Sequence, residues 1–453
     1  METLIVVLFF VGYAAITLEH PLKIDKLVPA LLMMALTWAV LALGIDSFAN
    51  WFDSANYTML EGFSAFSHDE KLHVMEETLL HHFGKTCEIL IFLMGAMTIV
   101  EIIDHYNGFS TIKGFIKTNK KKTLLWIIAV LAFILSAIID NLTATIVLIT
   151  ILRKLLDKQE DRLWFAGLIV VAANAGGAWS PIGDVTTTML WIGDKVSTGM
   201  LIQKLLLPSF ACMLLPVAIA SMLPAFKGEF EMPQEESGGS KGKILLYLGL
   251  GMIVFVPVFK TVTHLPPYIG MMLSLAVVSL VAEFISNREF SLEAMKAGNS
   301  SDEQLSEHGG HSSPTFKALS KIEMPSILFF LGILMTVAAL ESLGIIFQFG
   351  QDVRGAIHDD VFVMLMGVGS AVIDNVPLVA ASMGMFDVPM DDHLWHFIAY
   401  SAGTGGSMLV IGSAAGVVAM GMERISFGWY LKNISWLALV GFLTGAGVYL
   451  LTA

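Results

Sequence analysis

The chain has 453 residues, 14% charged and 55% hydrophobic, with a mean hydropathy of +0.73 and a formal net charge of −13. A soluble enzyme carries nearly twice that charge fraction, and a nucleic-acid binder carries a basic surface, so both classes are excluded. Apolar runs of 16 to 22 residues between charges cross about 30 Å of hydrocarbon as helices, and they lack the alternation of membrane β-barrels, which leaves an all-α polytopic membrane protein.

Residues 3–18 and 27–45 read as the first two spans. Met1-Glu2 shows neither the basic region nor the cleavage site of a secretory signal, so the first span is expected to be retained. Loop 46–88 holds eight acids against Lys71 and Lys85 and is expected outside, with His68, His73, His81 and His82 as solvated loop residues. After span 89–104, loop 105–122 carries Lys113, Lys117, Lys120, Lys121 and Lys122 with no acid, which places it in the cytoplasm. Residues 123–152 are apolar but are cut by Asp140-Asn141, residue types that favour turns. Both flanks are basic, so this stretch is expected to be a re-entrant hairpin entering from the cytoplasm, its tip enclosed by protein or water. Span 163–193 is interrupted, because three glycines and Pro181 between Asn174 and Asp184 oppose a continuous helix. Span 205–226 follows.

Linker 227–243, with Pro233 and Ser237-Gly238-Gly239-Ser240, leads to spans 244–261 and 265–282. Loop 286–324 is placed inside although its six acids outnumber its four bases; His308 and His311 fall there. Span 324–346 is followed by residues 361–386, cut by Asp374-Asn375 and flanked by Asp352, Asp359 and Asp360 on one side and Asp387, Asp391 and Asp392 on the other. This second hairpin is expected to enter from outside. Residues 393–422 form a second interrupted span and 433–453 the last, giving ten spans with both termini outside.

The two hairpins and the two broken spans are related. Ser136-Ala137-Ile138-Ile139-Asp140-Asn141 recurs as Ser370-Ala371-Val372-Ile373-Asp374-Asn375, an offset of 234. Gly176-Gly177 and Ile182-Gly183 recur as Gly405-Gly406 and Ile411-Gly412, an offset of 229. Met33-Met34 with Met271-Met272 and Met97-Thr98 with Met335-Thr336 share an offset of 238. Residues 1–226 and 244–453 therefore read as two repeats of five spans, one of them broken, plus a hairpin. An odd number of crossings inverts the second repeat, and inverted repeats with matched broken helices are an architecture of secondary transporters.

Carboxylates at mid-membrane depth are costly and are functional candidates by default, which singles out Asp140, Asp374 and Asp184. No Lys or Arg is expected at their depth, so a bound cation or proton is expected to neutralise them. Asn141, Thr143, Asn174, Ser180, Asn375, Thr404, Ser407 and Ser413 add hard oxygen donors suited to a small hard cation. The simplest sodium ligands are Asp140, Asn141, Thr143, Asp184, Asp374 and Asn375. Glu101, Asp104 and Glu341 are proton-path candidates, with interfacial snorkelling as the alternative. Asp140 and Asp374 have a bland reading as turn caps, Asp184 as a partner of a helix dipole, and Thr404, Ser407 and Ser413 as small packing residues. Two cysteines, Cys87 and Cys212, suggest no disulfide or thiolate metal site, and no cofactor is expected.

The paired tips, the stretch Ala173-Asn174-Ala175-Gly176-Gly177-Ala178-Trp179-Ser180-Pro181-Ile182-Gly183-Asp184-Val185-Thr186 and Gly403-Thr404-Gly405-Gly406-Ser407 resemble the NhaD-type sodium/proton antiporters of the Ion Transporter superfamily. The resemblance covers essentially the whole chain. It implies the fold of the divalent-anion/sodium symporters: scaffold and transport subdomains, elevator motion and a homodimer. In those symporters a Ser-Asn-Thr motif at each tip binds sodium and the substrate's carboxylates. Here the Ser position is acidic in both halves, which repels a carboxylate and holds a cation. The expected function is export of cytoplasmic Na+, and Li+, in exchange for external H+ across a bacterial cytoplasmic membrane. The competing readings are an anion or arsenite transporter on the same fold and an intramembrane aspartyl protease.

Overall fold

The computed structural model describes residues 1–452 except 19–21, 54–57, 61, 115, 231–238, 297–312 and 373. Residues 231–238 of the linker, the pair His308 and His311, and Ile373 of the second tip motif thus lie outside the described residues. In chain order the elements are α1 (Glu2–Thr17), α2 (Leu27–Leu43), the antiparallel pair β1 (Phe52–Asp53) and β2 (Thr58–Met59), α3 (His68–His105) and α4 (Ser110–Lys113). Then come α5 (Lys121–Ile139), α6 (Asn141–Leu155), α7 (Gln159–Gly177), α8 (Val185–Ile192), α9 (Thr198–Ala220), α10 (Ser240–Thr263), α11 (Pro267–Lys296) and α12 (Pro314–Leu319). The chain ends with α13 (Met324–Ser342), α14 (Ile345–Ala356), α15 (Asp359–Gly369), α16 (Asn375–Met385), α17 (His393–Gly405), α18 (Ala414–Glu423), α19 (Phe427–Asn433) and α20 (Ser435–Thr452).

Among the described residues, seven helices are long and apolar enough to cross a membrane: α3, α5, α9, α10, residues 267–286 of α11, α13 and α20. Helices α1, α2, α16 and α18 are apolar but shorter. Helix α5 is among the seven although it is the first leg of the expected hairpin 123–152, and the remaining expected crossings are the broken ones, α7 with α8 and α17 with α18. Large apolar side chains such as Phe10, Leu36 and Val262 are exposed, as lipid-facing residues are.

The expectation of a loop from 46 to 88 is corrected from His68 onward. Helix α3 begins at His68, twenty-one residues before its apolar run. Ser67 and Glu70 form a reciprocal capping box, with Ser67 N donating to Glu70 Oε2 at 2.8 Å and Glu70 N donating to Ser67 Oγ at 3.4 Å. Charge ends a hydrophobic run without ending a helix, so His68, His73, His81 and His82 stand on helical turns. The segment before α3 folds back on it, Trp51 donating to Thr78 Oγ1 at 3.0 Å and stacking on Phe63.

Two compact units emerge. One comprises residues 1–90, 119–231 and 324–453. In it α2 packs on α13 and α9 on α20. Gly332 of α13 lies where an added Cβ would meet Ala30 backbone at 2.8 Å, and Gly441 and Gly445 bring α20 against the backbone of Cys212 and Pro208. Small residues four apart permit this approach, as in other membrane helix pairs. The other unit comprises residues 91–118 and 232–323. There α10 packs along α11, Ser274 donating to Met252 O at 2.8 Å, and Tyr106 donates to Ala282 O at 3.0 Å.

Candidate functional site

Four helix ends meet inside the first unit. Helix α5 stops at Ile139, and Asp140 takes φ 86°, ψ 158° before α6 starts. That left-handed conformation is one ordinary residues adopt only when held there. The Asp140 carboxylate caps α6, accepting from Thr143 N at 2.8 Å and Thr143 Oγ1 at 2.9 Å. In the second tip Asp374 caps α16, accepting from Val376 N at 3.2 Å. Position 377, which corresponds to Thr143, is a proline with neither N–H nor hydroxyl to give. The other oxygen of Asp374 instead lies 3.5 Å from Lys26 Nζ.

That ion pair corrects the expectation that no cationic side chain reaches the tips. Lys26 sits at the start of α2, outside any apolar run, so a depth inferred from sequence distance misses it. The fold delivers its four-carbon stem to Asp374, with the ammonium also 4.6 Å from the Phe329 ring.

Helix α7 ends at Gly177 and α8 starts after Asp184; α17 ends at Gly405, a short 3-10 turn covers Gly406–Met408, and α18 starts after Ser413. Each tip is tied to its break in the same manner. Ser136 donates to Ala173 O at 2.5 Å and Ser370 to Ala402 O at 2.9 Å. Gly176 lies against the carbonyl of Phe133 as Gly405 lies against that of Gly367, and neither place has room for a Cβ. Asp184 and Ser413 are the corresponding N-caps, at φ −148°, ψ 147° and φ −148°, ψ 154°.

The side chains then cross between the sets. Asn141 donates to Asn174 Oδ1 at 3.0 Å, and Asn174 Nδ2 reaches both Ser407 Oγ and Ser413 Oγ at 2.9 Å. On the other side Asn375 donates to Asp184 Oδ2 at 3.1 Å. The counterpart of Asn174 is Gly403, and an added Cβ there would be 3.4 Å from Asp184 Oδ2. Asp184 therefore occupies the room that a second asparagine would have used. Asn174, Asp184, Asn141 and Asn375 are all buried, and among the described residues no Lys or Arg ion-pairs with Asp184. A buried carboxylate bonded by one amide, together with a separate amide-and-hydroxyl network, offers hard oxygens of the kind that suit a small hard cation. No three His, Cys, Asp or Glu side chains gather as a transition-metal site would need, among the described residues.

The other candidates stand differently. Ser180 donates to Ala137 O at 2.5 Å and Thr404 to Tyr400 O at 2.6 Å, so both hydroxyl protons are committed to backbone. Glu341 lies on the last turn of α13, its carboxyl 3.1 Å from where a Cβ on Gly384 of α16 would be. Glu101 and Asp104 belong to the second unit, near the charge of Lys321. Lys26 was not foreseen, and no motif marks it.

The citrate transporter family model matches residues 13–397. The chain belongs to that family. The chain is 41% identical over 451 residues to sodium/proton antiporter 1 of Arabidopsis thaliana, spanning 98% of this chain and 71% of that protein. It is 29% identical over 456 residues to the Na(+)/H(+) antiporter NhaD of Vibrio cholerae, spanning 98% of this chain and 90% of that protein. The resemblance to NhaD-type antiporters thus holds over nearly the full length. Among solved structures, the Alcanivorax borkumensis YdaH transporter matches with a TM-score of 0.57 at 12% identity, covering 93% of this chain and 97% of that one, a likeness of fold alone. This citrate transporter family member is thus a multi-pass membrane transporter and not an enzyme, which removes the protease reading.

Proposed function

We propose that this protein exchanges sodium for protons, exporting cytoplasmic Na+, and Li+, against external H+. The observation that carries the reading is the buried Asp184 carboxylate, held by Asn375 and set beside the Asn141–Asn174–Ser407–Ser413 network. A carboxylate that binds either a sodium ion or a proton, but not both, couples the two fluxes. Asp140, Asn141, Thr143, Asp184, Asp374 and Asn375 supply the ligands, and Asn174, Ser407 and Ser413 orient them. The names of the relatives support the same pair of ions.

The recurring tip-to-break contacts support two repeats, 1–226 and 244–453, joined by 227–243 and inverted by their odd number of crossings. On that reading 123–152 and 361–386 are re-entrant hairpins and the repeats shuttle by an elevator motion, in a homodimer. The placement of Glu101, Asp104 and Glu341 on a proton path belongs to the same proposal.

The family's description favours a second reading, uptake of a carboxylate anion. Three carboxylates stand where such an anion's own charges would come, which opposes it. Everted vesicles from a strain lacking its own antiporters decide between them. Sodium or lithium is expected to dissipate the pH gradient, with loss of the response in Asp184→Asn, while labelled citrate is not taken up. Citrate uptake with no response to any monovalent cation would reverse the conclusion.

A further inference from the structure

Lys26 is placed where helix formation gives no reason for a lysine. It is the N-cap of α2 and makes no capping hydrogen bond; Asp25 accepts from Leu27 N at 2.8 Å and does the capping. A cation at a helix N-terminus opposes the helix dipole. Its ammonium instead lies over the Phe329 ring and 3.5 Å from Asp374 Oδ2. The lysine is not repeated in the other half. Asp140 is held by the N–H and hydroxyl of Thr143, and the residue 238 places after Lys26, the offset that relates Met33 to Met271, is His264.

Lys26 belongs to neither a tip nor a break. It stands on α2, which packs on α1 and α13, whereas Asp374 stands between α15 and α16. The pair thus ties the second tip to a helix outside the binding elements. The side chains are 27% and 18% exposed, so neither charge is sealed inside the protein.

We infer that Lys26 is a tethered counter-cation of Asp374 that latches the second tip when the tip is unloaded and is displaced when sodium or a proton takes its place. The inference rests on the exchange proposed above and adds the step that keeps such exchange tight. An antiporter must not reorient empty, or one ion runs downhill without the other. A lysine that lets go only when the carboxylate gains a sodium ion or a proton blocks the empty passage, and either substrate releases it. Lys26 acts through Asp374, so it is a positioning residue.

The test uses Lys26→Met, which keeps an unbranched apolar side chain and removes the charge, with Lys26→Arg as the conservative variant. Both are purified in detergent for direct binding of 22Na+ and reconstituted in proteoliposomes for the ratio of sodium to protons moved. Lys26→Met is expected to bind sodium about fivefold more tightly, the upper scale of a part-exposed ion pair, and to move sodium down its gradient without matched protons. Lys26→Arg is expected to restore the wild-type ratio. In an Asp374→Asn background, Lys26→Met is expected to change sodium binding no further. Absence of exchange by the wild type would overturn the proposed function and the latch with it. Exchange by the wild type with unaltered affinity and ratio in Lys26→Met would overturn the latch alone. A folded Lys26→Met that binds sodium more weakly would also overturn it, because removing a competitor must not weaken binding.

Discussion

Asp140 and Asp374 share a motif but not a setting. Asp140 stands at φ 86° with its carboxylate held by Thr143, while Asp374 stands at φ −48° facing Lys26. The left-handed conformation at Asp140 costs roughly 1–3 kcal/mol, which the surrounding contacts must over-determine. Asparagine is nearly isosteric with the aspartate already held in this conformation and retains an acceptor for Thr143 N. Asp140→Asn is therefore expected to keep the fold, with a thermal midpoint within about 4 °C of wild type, and to lose sodium-driven exchange. Asp374→Asn releases Lys26 as well as removing a ligand, so its effect on the direct binding of 22Na+ must differ from that of Asp140→Asn. Equal shifts in a titration of both variants would refute the inequivalence of the tips. The sequence already separated them by Thr143 against Pro377; that the missing hydroxyl is answered by a lysine was invisible, because it depends on a contact between residues 26 and 374.

At the scale of elements, the breaks and the tips need each other. Gly176 and Gly405 let α7 and α17 lie against the carbonyls of Phe133 and Gly367. A methyl group at either place meets backbone, which cannot step aside as a side chain can. Gly176→Ala and Gly405→Ala are each expected to cost about 1–3 kcal/mol or more by overpacking, read as a lower thermal midpoint in detergent together with lost transport. Gly84→Ala is the control: it lies on α3 with nothing within 4 Å of an added Cβ, and alanine is the better helix former by about 1 kcal/mol. It is expected to hold or raise the midpoint. Alanine lowers the backbone entropy lost on folding, so a loss at Gly84 as large as at Gly176 would show that the close approach does not set the cost. The breaks were legible from three glycines and a proline inside an apolar run. The true start of α3 was not legible from hydropathy, although the Ser67 and Glu70 spacing of a capping box stood in the sequence.

The halves of the chain are fastened within the first unit as well as at the site. Glu423, on the last turn of α18, has a side chain only 1% exposed; Arg153 of α6 lies 2.7 Å from it and Arg162 of α7 3.0 Å. Gln159 adds a bond to the Glu423 carbonyl at 3.0 Å. Removing the charge of Glu423 leaves two arginines facing a neutral amide, and breaking a buried pair costs about 3–5 kcal/mol. Glu423→Gln is thus expected to lower the thermal midpoint clearly. Arg153→Met, at a side chain 45% exposed, is expected to cost no more than about 1 kcal/mol. A Glu423→Gln protein as stable as wild type would show that the cluster does not fasten α18 to α6 and α7. Sequence by itself determined the membrane class, the positions of the tips and breaks, their repetition, and the acids among them, because hydropathy, turn chemistry and repeats are local in the chain. Only the tertiary structure decided that Asn174 reaches Ser413, that Asp184 fills the room left by Gly403, and that Lys26 answers Asp374. Each of these joins residues more than 190 positions apart, and no local pattern carries the distance between them.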